Sequence, residues 1–440
     1  MSTRRVWLKQ VAMACAGMMA PAIVPVSVLG GDGMVPPSER ITLGIIGTGD
    51  HGVNRNIRRF LTEADCQIVA VCDVDRSRRI NAKQLIEERY EAAHGKGTYT
   101  SVADYNDFRD VLARDDIDAV MVATPDHWHV LPSVLAARAG KDVMCEKPLS
   151  LTVEEGRILS DTMRQTNRVF MTATENRSHP NYHRMCELVR NGRIGKVKMI
   201  QVGLPGAPSI TPTSRDPQPI PEGFDYDFWL GQCPEKPYCP ARCHWNFRWI
   251  LDYSGGQLTD WGAHMIDLAQ WGNDTEYTGP VEVEGRGEFK KDTLYDVAHA
   301  FHINYKYANG VELLVESKNP YLRFIGDAGW IGNDGWCGEL QASNPAILRE
   351  EIGEEETHLY TCPEGEQRNF LDCVKSRKLT YAPVEVGHRT ISIAHIGHIA
   401  MQLQRKLAWD SARERFSNDE AANWLLSRPQ REPWILHRFI

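Results

Sequence analysis

The sequence predicts an α/β protein in two parts, a doubly wound parallel sheet followed by an α+β half of mostly antiparallel strands. Three observations carry this. A short apolar run, Ile41 to Ile46, feeds a glycine-rich turn and then a stretch of helical periodicity, Asn54 to Ala64. Strand-like and helix-like segments then alternate as far as Cys145, the pattern of a parallel sheet with helices on both faces. Beyond about residue 170 the pattern becomes polar/apolar alternation, as in antiparallel strands with one covered face.

The chain has 440 residues, 42% hydrophobic and 25% charged. That is enough for two or three domains with a sizeable core, and it excludes wholesale disorder and fibrous repeats. Before the first strand, Thr3-Arg4-Arg5-Val6-Trp7-Leu8-Lys9 is basic, and Val11 to Val28 is apolar, rich in small residues and uncharged. Residues 1–30 therefore read as a targeting leader. The paired arginines followed by an aromatic and a leucine resemble the bacterial twin-arginine signal; an ordinary basic signal or an uncleaved anchor is the plainer alternative. Ala20-Pro21-Ala22 is a small-x-small cleavage site weakened by its proline. A membrane span of about 17 residues requires Pro21 and Pro25 to be tolerated within it, and none is expected beyond the leader. The expected location is periplasmic or otherwise extracytoplasmic.

Lys and Arg number 50 against 58 Asp and Glu, a net charge of -8. Without Arg4, Arg5 and Lys9 the balance is 47 against 58, or -11. Such a surface repels phosphate backbones, so nucleic acid is not an expected partner.

Residues 31–40 form a linker, and the first domain is expected over 41–168. Gly47-Thr48-Gly49-Asp50-His51-Gly52 sits between strand and helix, the context in which G-x-G-x-x-G has a mechanical meaning. Gly47 allows the tight turn, Gly49 lets a pyrophosphate approach the backbone, and Gly52 permits close helix packing. The N–H groups of the helix start then hold phosphate. The second strand, Gln67 to Cys72, ends in Asp73, twenty-one residues past Gly52. A carboxylate there accepts from the ribose hydroxyls and repels a 2'-phosphate, favouring NAD over NADP, although Asp75 or Arg76, Arg78 and Arg79 could modify that preference. Strands at Ala119 to Ala123 and Asp142 to Cys145 direct Thr124-Pro125-Asp126-His127-Trp128-His129 and Glu146-Lys147-Pro148 toward the carboxyl ends of the sheet, where ligands bind. His127 and His129 could suggest a metal, but with no third ligand nearby hydrogen bonding at a turn is the better reading, and no metal is expected.

Those residues carry a resemblance. The Gly47 fingerprint, the T-P-x-x-x-H of Thr124 to His129 and the E-K-P of Glu146 to Pro148 resemble the glucose-fructose oxidoreductase, inositol dehydrogenase and rhizopine catabolism (Gfo/Idh/MocA) family. The resemblance implies an N-terminal Rossmann domain with bound NAD, a catalytic Lys147, and a Glu146 that shapes the cofactor site. It also implies that Thr48, Asp50, His51, Thr124, Pro125, His127 and His129 belong to the cofactor-binding segments.

The second domain is expected over 169–440. A helix over Tyr182 to Asn191 precedes strand-like runs at Lys196 to Val202, Val281 to Glu288, Ala298 to Tyr305 and Val311 to Glu316. Ser209 to Gly223 reads as a surface loop, and residues 366–408 as helices returning to the first domain. The resemblance implies that this sheet is open, with one helix-covered face and another able to pair with a second subunit, hence a homo-oligomer.

Asp260 and His264 are four apart, so on a helix they share one face; an amphipathic helix with a core histidine is the bland alternative. The resemblance of Gly255 to His264 to the family's G-G-x-x-x-D-x-G-x-H segment implies that both stand beside Lys147. Trp245, Arg248 and Trp249 suit a sugar platform or, equally, core aromatics with a surface arginine. Arg177, after Asn176, lies where the family often contacts substrate or cofactor. Cys233, Cys239 and Cys243, with His244 adjacent, match no paired C-x2-C metal pattern and read as structural cysteines, free or disulfide-bonded.

The expected chemistry is hydride transfer between a carbinol carbon of a sugar, glycoside or polyol and NAD. His264 would accept the hydroxyl proton, Lys147 would stabilise the alkoxide, and Asp260 would orient His264. The alternatives are an NAD-dependent glycosidase using transient oxidation at C3 and a non-catalytic NAD- or sugar-binding protein. Export implies a cofactor carried out with the folded protein and held tightly.

Overall fold

A computed structural model describes residues 35–94 and 102–440. The leader and its arginine pair lie outside the described residues. The chain forms two compact units, up to Arg40 and from Ile41 onward. In the first, a 3-10 turn at Pro37–Glu39 is followed by Arg40, whose Nε donates to the Val35 carbonyl at 2.8 Å. The second unit carries both sheets.

Six parallel strands form its first sheet: β1 (Ile41–Ile46), β2 (Cys66–Cys72), β3 (Ala103–Tyr105), β4 (Ala119–Val122), β5 (Asp142–Glu146) and β6 (Phe170–Ala173). Their order, β3-β2-β1-β4-β5-β6, reverses direction between β1 and β4 and opens a crevice at their carboxyl ends. Helices cover both faces, so β4, β5 and β6 are buried throughout. The first half therefore extends past the expected limit at residue 168, because β6 pairs with β5. That strand is too short and too uniformly apolar to announce its sheet by periodicity.

Nine strands form the second sheet: β7 (Val197–Leu204), β8 (Glu282–Phe289), β9 (Ala298–Lys306), β10 (Glu312–Ser317), β11 (Tyr321–Gly326), β12 (Trp330–Asp334), β13 (Leu340–Ala342), β14 (Leu407–Asp410) and β15 (Arg415–Phe416). Their order is β13-β12-β11-β7-β10-β9-β8-β14-β15, antiparallel except for the β7–β10 pair. The sheet is open. Ile303, Tyr305, Leu313, Val315, Leu322 and Phe324 point into the core, while alternate positions such as His302, Asn304 and Lys306 are exposed. Helix Val384–Leu403 packs on helix Val153–Thr166 of the first half and on β8 and helix Gly262–Gly272 of the second. Phe370, Leu371, Tyr381 and Ala382 complete the same apolar cluster as Leu43, Ile45 and Ile68. No helix among the described residues is long and apolar enough to cross a membrane.

Four buried histidines make the fold acid-sensitive. Burial pushes His127, His264 and His398 down to about 4 and His395 to about 3. A depressed folded-state pKa gives a contribution present above the unfolded value, near 6.5, and lost as pH falls through the folded value. At pH 5 each of these groups costs roughly 2 kcal/mol relative to pH 7. The urea midpoint is expected to fall steeply between pH 6.5 and 5; a flat midpoint across that window contradicts the assignment.

Candidate active site

A cleft of about 510 Å³ opens at the carboxyl ends of β1, β2, β4 and β5. Gly47, Gly49, Asp73, Thr124 and Glu146 line it on one side, and Trp245 and Arg248 on the other. Gly47 has φ +97°, and a Cβ there would lie 2.5 Å from the Ala123 carbonyl carbon and oxygen. A Cβ at Gly52 would lie 2.5 Å from the Gly47 oxygen, so the following helix, which begins as a π turn over Gly52–Ile57, sits directly on the loop. Gly49 differs: a Cβ would meet only Arg78 Nη1, at 3.5 Å. Protein packing does not demand glycine there, whereas close approach of a ligand does.

Asp73 is held rather than free to swing. Its Oδ2 accepts from the Thr48 amide at 2.7 Å and the Thr48 hydroxyl at 3.1 Å, and its Oδ1 accepts from the Asp75 amide at 2.9 Å. Thr48 thus acts by fixing Asp73, while Asp50 and His51 border the cleft. Arg78 Nη1 lies 3.3 Å from Asp50 and its Nε 3.6 Å from Asp75; Arg79 reaches Asp104. Thr124 Oγ1 is buried without a protein partner. A glycine bare toward the cleft, a fixed carboxylate and an orphaned hydroxyl together fit a dinucleotide.

His127 and His129 do not line the cleft, contrary to expectation. His127 Nε2 bonds the Trp229 carbonyl at 2.8 Å, and its ring packs among Trp128, Trp229 and Tyr253. His129 bonds the Pro148 carbonyl at 2.7 Å and the Thr124 carbonyl at 2.9 Å, fastening the loop after β4 to the loop after β5. Two buried rings held by backbone carbonyl groups are positioning groups. No cluster of three metal-ligating side chains occurs among the described residues, and Cys233, Cys239 and Cys243 are buried free thiols.

Lys147, directly after β5, stands on the cleft wall. Its Nζ donates to Asp260 Oδ1 at 2.7 Å and to the Asp260 carbonyl at 3.2 Å. Burial alone would lower the Lys147 pKa, but the Asp260 charge and hydrogen bond outweigh it and the net direction is up. Burial likewise opposes ionisation of Asp260, yet Lys147 and then Arg248, 3.7 Å away, hold it at about 2. The pair is therefore ionised on both sides at neutral pH.

Asp260 and His264 do not share one helix. Helix Gln257–Asp260 ends before Trp261, and a second begins at Gly262. Asp260 turns to Lys147 and Arg248, while His264 Nδ1 lies 3.1 Å from Thr174 Oγ1 and 4.0 Å from Glu175 Oε2. Trp336 packs edge-on against the ring, with centroids 5.1 Å apart. His264 is only 5% exposed and sits behind the cleft wall; burial makes it neutral at working pH, and no protein group among the described residues bonds its Nε2.

The aromatic platform divides. Trp245, 43% exposed, lies under the Arg248 guanidinium at 4.4 Å and borders the cleft. Trp249 does not: it is 1% exposed and its indole N–H donates to the Ser209 carbonyl at 3.1 Å. Arg177 does not reach the cleft either. It is 2% exposed, bidentate to Asp267 at 2.7 and 2.8 Å, and donates to the Tyr381 carbonyl at 2.9 Å. No donor fork is left for a substrate.

Sequence reasoning named Glu146 but missed the two carboxylates grouped with it, Glu175 and Glu366. Glu146 Oε1 accepts from Asn56 at 2.8 Å and lies 3.0 Å from His51 Nε2. Burial opposes its ionisation, but the His51 charge and hydrogen bond carry the Glu146 pKa well below the ordinary carboxylate range. Arg55 lies 3.7 Å from Glu175 and 3.5 Å from Glu366, whose pKa burial and its acidic neighbours push up. The one available signal was the position of Glu175 just past the end of β6; Glu366 comes from a distant helix that no local pattern connects to it.

The family model for the "Oxidoreductase family, NAD-binding Rossmann fold" matches residues 41–174. The model for the "Oxidoreductase family, C-terminal alpha/beta domain" matches residues 210–436, more than half of the chain. The chain belongs to the Gfo/Idh/MocA oxidoreductase family. A glycosyl hydrolase family 109 protein of Shewanella sp. is 35% identical over 135 residues, 31% of this chain and 28% of that protein. Levoglucosan dehydrogenase of Pseudarthrobacter phenanthrenivorans is 34% identical over 194 residues, 44% of this chain and 42% of that protein. The chain thus spans less than half the length of these curated relatives. Among solved structures, levoglucosan dehydrogenase in complex with NADH and L-sorbose superposes with TM-score 0.62 at 20% identity, over 84% of this chain and 99% of that one, a likeness of fold.

Proposed function

We propose that this protein oxidises or reduces a hydroxyl or ketone of a sugar, glycoside or polyol, with NAD bound in the cleft. The observation that carries the reading is the Lys147 ammonium on the cleft wall beside the glycine loop, held by Asp260 at 2.7 Å. Gly47, Gly49, Gly52 and Asp73 would hold the cofactor, and NAD supplies the hydride acceptor. Lys147 stabilises charge developing on the substrate oxygen. Asp260 keeps Lys147 charged and aimed, a different task from orienting His264. Neutral His264 accepts the hydroxyl proton at Nε2 from a substrate that reaches past the cleft wall, and Glu175 near Nδ1 stabilises the imidazolium that forms. Arg248 over Trp245 offers hydrogen bonds and an aromatic face to a sugar ring.

The similarity to glycosyl hydrolase family 109 proteins favours one second reading: transient oxidation at C3, elimination of the aglycone, addition of water and re-reduction. The leader adds that the protein is exported folded with NAD held tightly, so that turnover is redox-neutral or ping-pong. A second copy would pair through the open face of the nine-stranded sheet.

A panel of glycosides incubated with protein purified from the periplasm tests these readings by NMR. Accumulating keto-sugar is expected for the dehydrogenase; released aglycone without ketone assigns the glycosidase instead. Denaturing the same material is expected to release about one nucleotide per chain, and its absence rejects tight retention.

A further inference from the structure

A second cavity, of about 720 Å³, lies at the opposite end of β5 and β6 from the cleft, between helix Val153–Thr166, the start of helix Val384–Leu403 and residues 412–414. We propose that it binds an organic phosphate monoester, independently of the oxidoreductase reading. Seven cationic side chains line it, on a chain whose net charge is -8.

Most of these charges are matched. On the floor, Arg157 and Arg389 are neutralised by Glu385 and Glu414, with contacts of 2.7 to 3.0 Å. Arg377 is paired with Asp142, Arg164 with Asp161 and Arg413 with Asp410. Five carboxylates thus answer five cations, and two remain. Arg168 donates only to the Gly140 and Thr166 carbonyls, at 3.0 and 3.3 Å, and Lys378 has no carboxylate within ion-pair distance among the described residues.

Two unmatched positive charges lining one concavity favour a dianion, and guanidinium and ammonium groups are both phosphate ligands. Neither Arg168 donation satisfies its charge, since both acceptors are neutral carbonyls. Two exposed apolar side chains at the cavity, Tyr277 and Leu379, would pack on the carbon skeleton of the ester, which separates an organic ester from inorganic phosphate. Salt screening weakens such binding less in a concavity than on an open surface.

The test uses the NAD-saturated protein, so that the pyrophosphate-binding loop is occupied. Glucose 6-phosphate, inorganic phosphate and glucose are titrated calorimetrically into wild type, Arg168→Gln/Lys378→Gln and Lys378→Glu. Lys378→Glu breaks no side-chain hydrogen bond or ion pair among the described residues and so tests the charge with little risk to the fold. The expected result is saturable binding of glucose 6-phosphate, weaker binding of inorganic phosphate and none of glucose. Affinity is expected to fall about tenfold or more in both variants while NAD affinity is unchanged. Wild-type-like binding in both variants, no saturable binding by wild type, equal affinity for inorganic phosphate, or comparable binding of glucose each overturns the assignment.

Discussion

Replacing Lys147 by alanine is expected to lower kcat by about two to three orders of magnitude, the usual cost of removing one charged donor to a developing oxyanion. NAD affinity should change little, because the glycine loop and Asp73 are untouched. The same substitution strands Asp260, which Lys147 holds at about 2, with Arg248 at 3.7 Å as its remaining cation. Leaving a buried charge without its partner costs about 3–5 kcal/mol, so a drop in melting temperature should accompany the loss of rate. Lys147→Ala/Asp260→Asn separates the two effects: stability should recover in the double variant, and activity should not. Near-wild-type turnover in Lys147→Ala would return the protein to the non-catalytic binding class.

The second large effect divides two glycines that stand two positions apart in the loop. Gly47→Ala places a Cβ 2.5 Å from the Ala123 backbone at φ +97°. The backbone conformation alone costs about 1–3 kcal/mol, and the clash falls on main chain that cannot yield. Loss of folding stability is expected, with NAD binding lost as a result. Gly49→Val should do the reverse, because packing around it is open: melting temperature of the cofactor-free protein within a degree or two of wild type, and NAD affinity reduced about a hundredfold or more. Calorimetric melting beside NAD titration checks both. If Gly49→Val bound NAD normally, the pyrophosphate would have to sit elsewhere.

How much of this was readable beforehand depends on whether a residue's task is local. The strand, glycine loop and helix from Ile41 onward, Asp73 at the end of β2, and Glu146-Lys147 after β5 were all legible, because backbone geometry puts them at the carboxyl edge whatever the rest of the chain does. Direction of side chains was not. His127 and His129 occupy the expected loop but turn inward to carbonyl groups, and Trp249 turns away from the cleft that its neighbour Arg248 borders. Arg177 found Asp267, ninety positions away, and Lys147 found Asp260 across 113. A helix break at Trp261 reassigned Asp260 from histidine to lysine, and no periodicity in Gln257 to Gly272 marks that break.

Phe370, Leu371, Tyr381 and Ala382, which finish the apolar cluster begun by Leu43, Ile45 and Ile68, also set an order of events during synthesis. By the time the ribosome has made the six strands of the first sheet, that sheet still lacks part of its own interior. Those four residues lie about two hundred positions beyond β6, so the apolar cluster around β1 and β2 is completed only when they dock, and any machinery that handles this protein earlier meets a first sheet with that cluster unfinished.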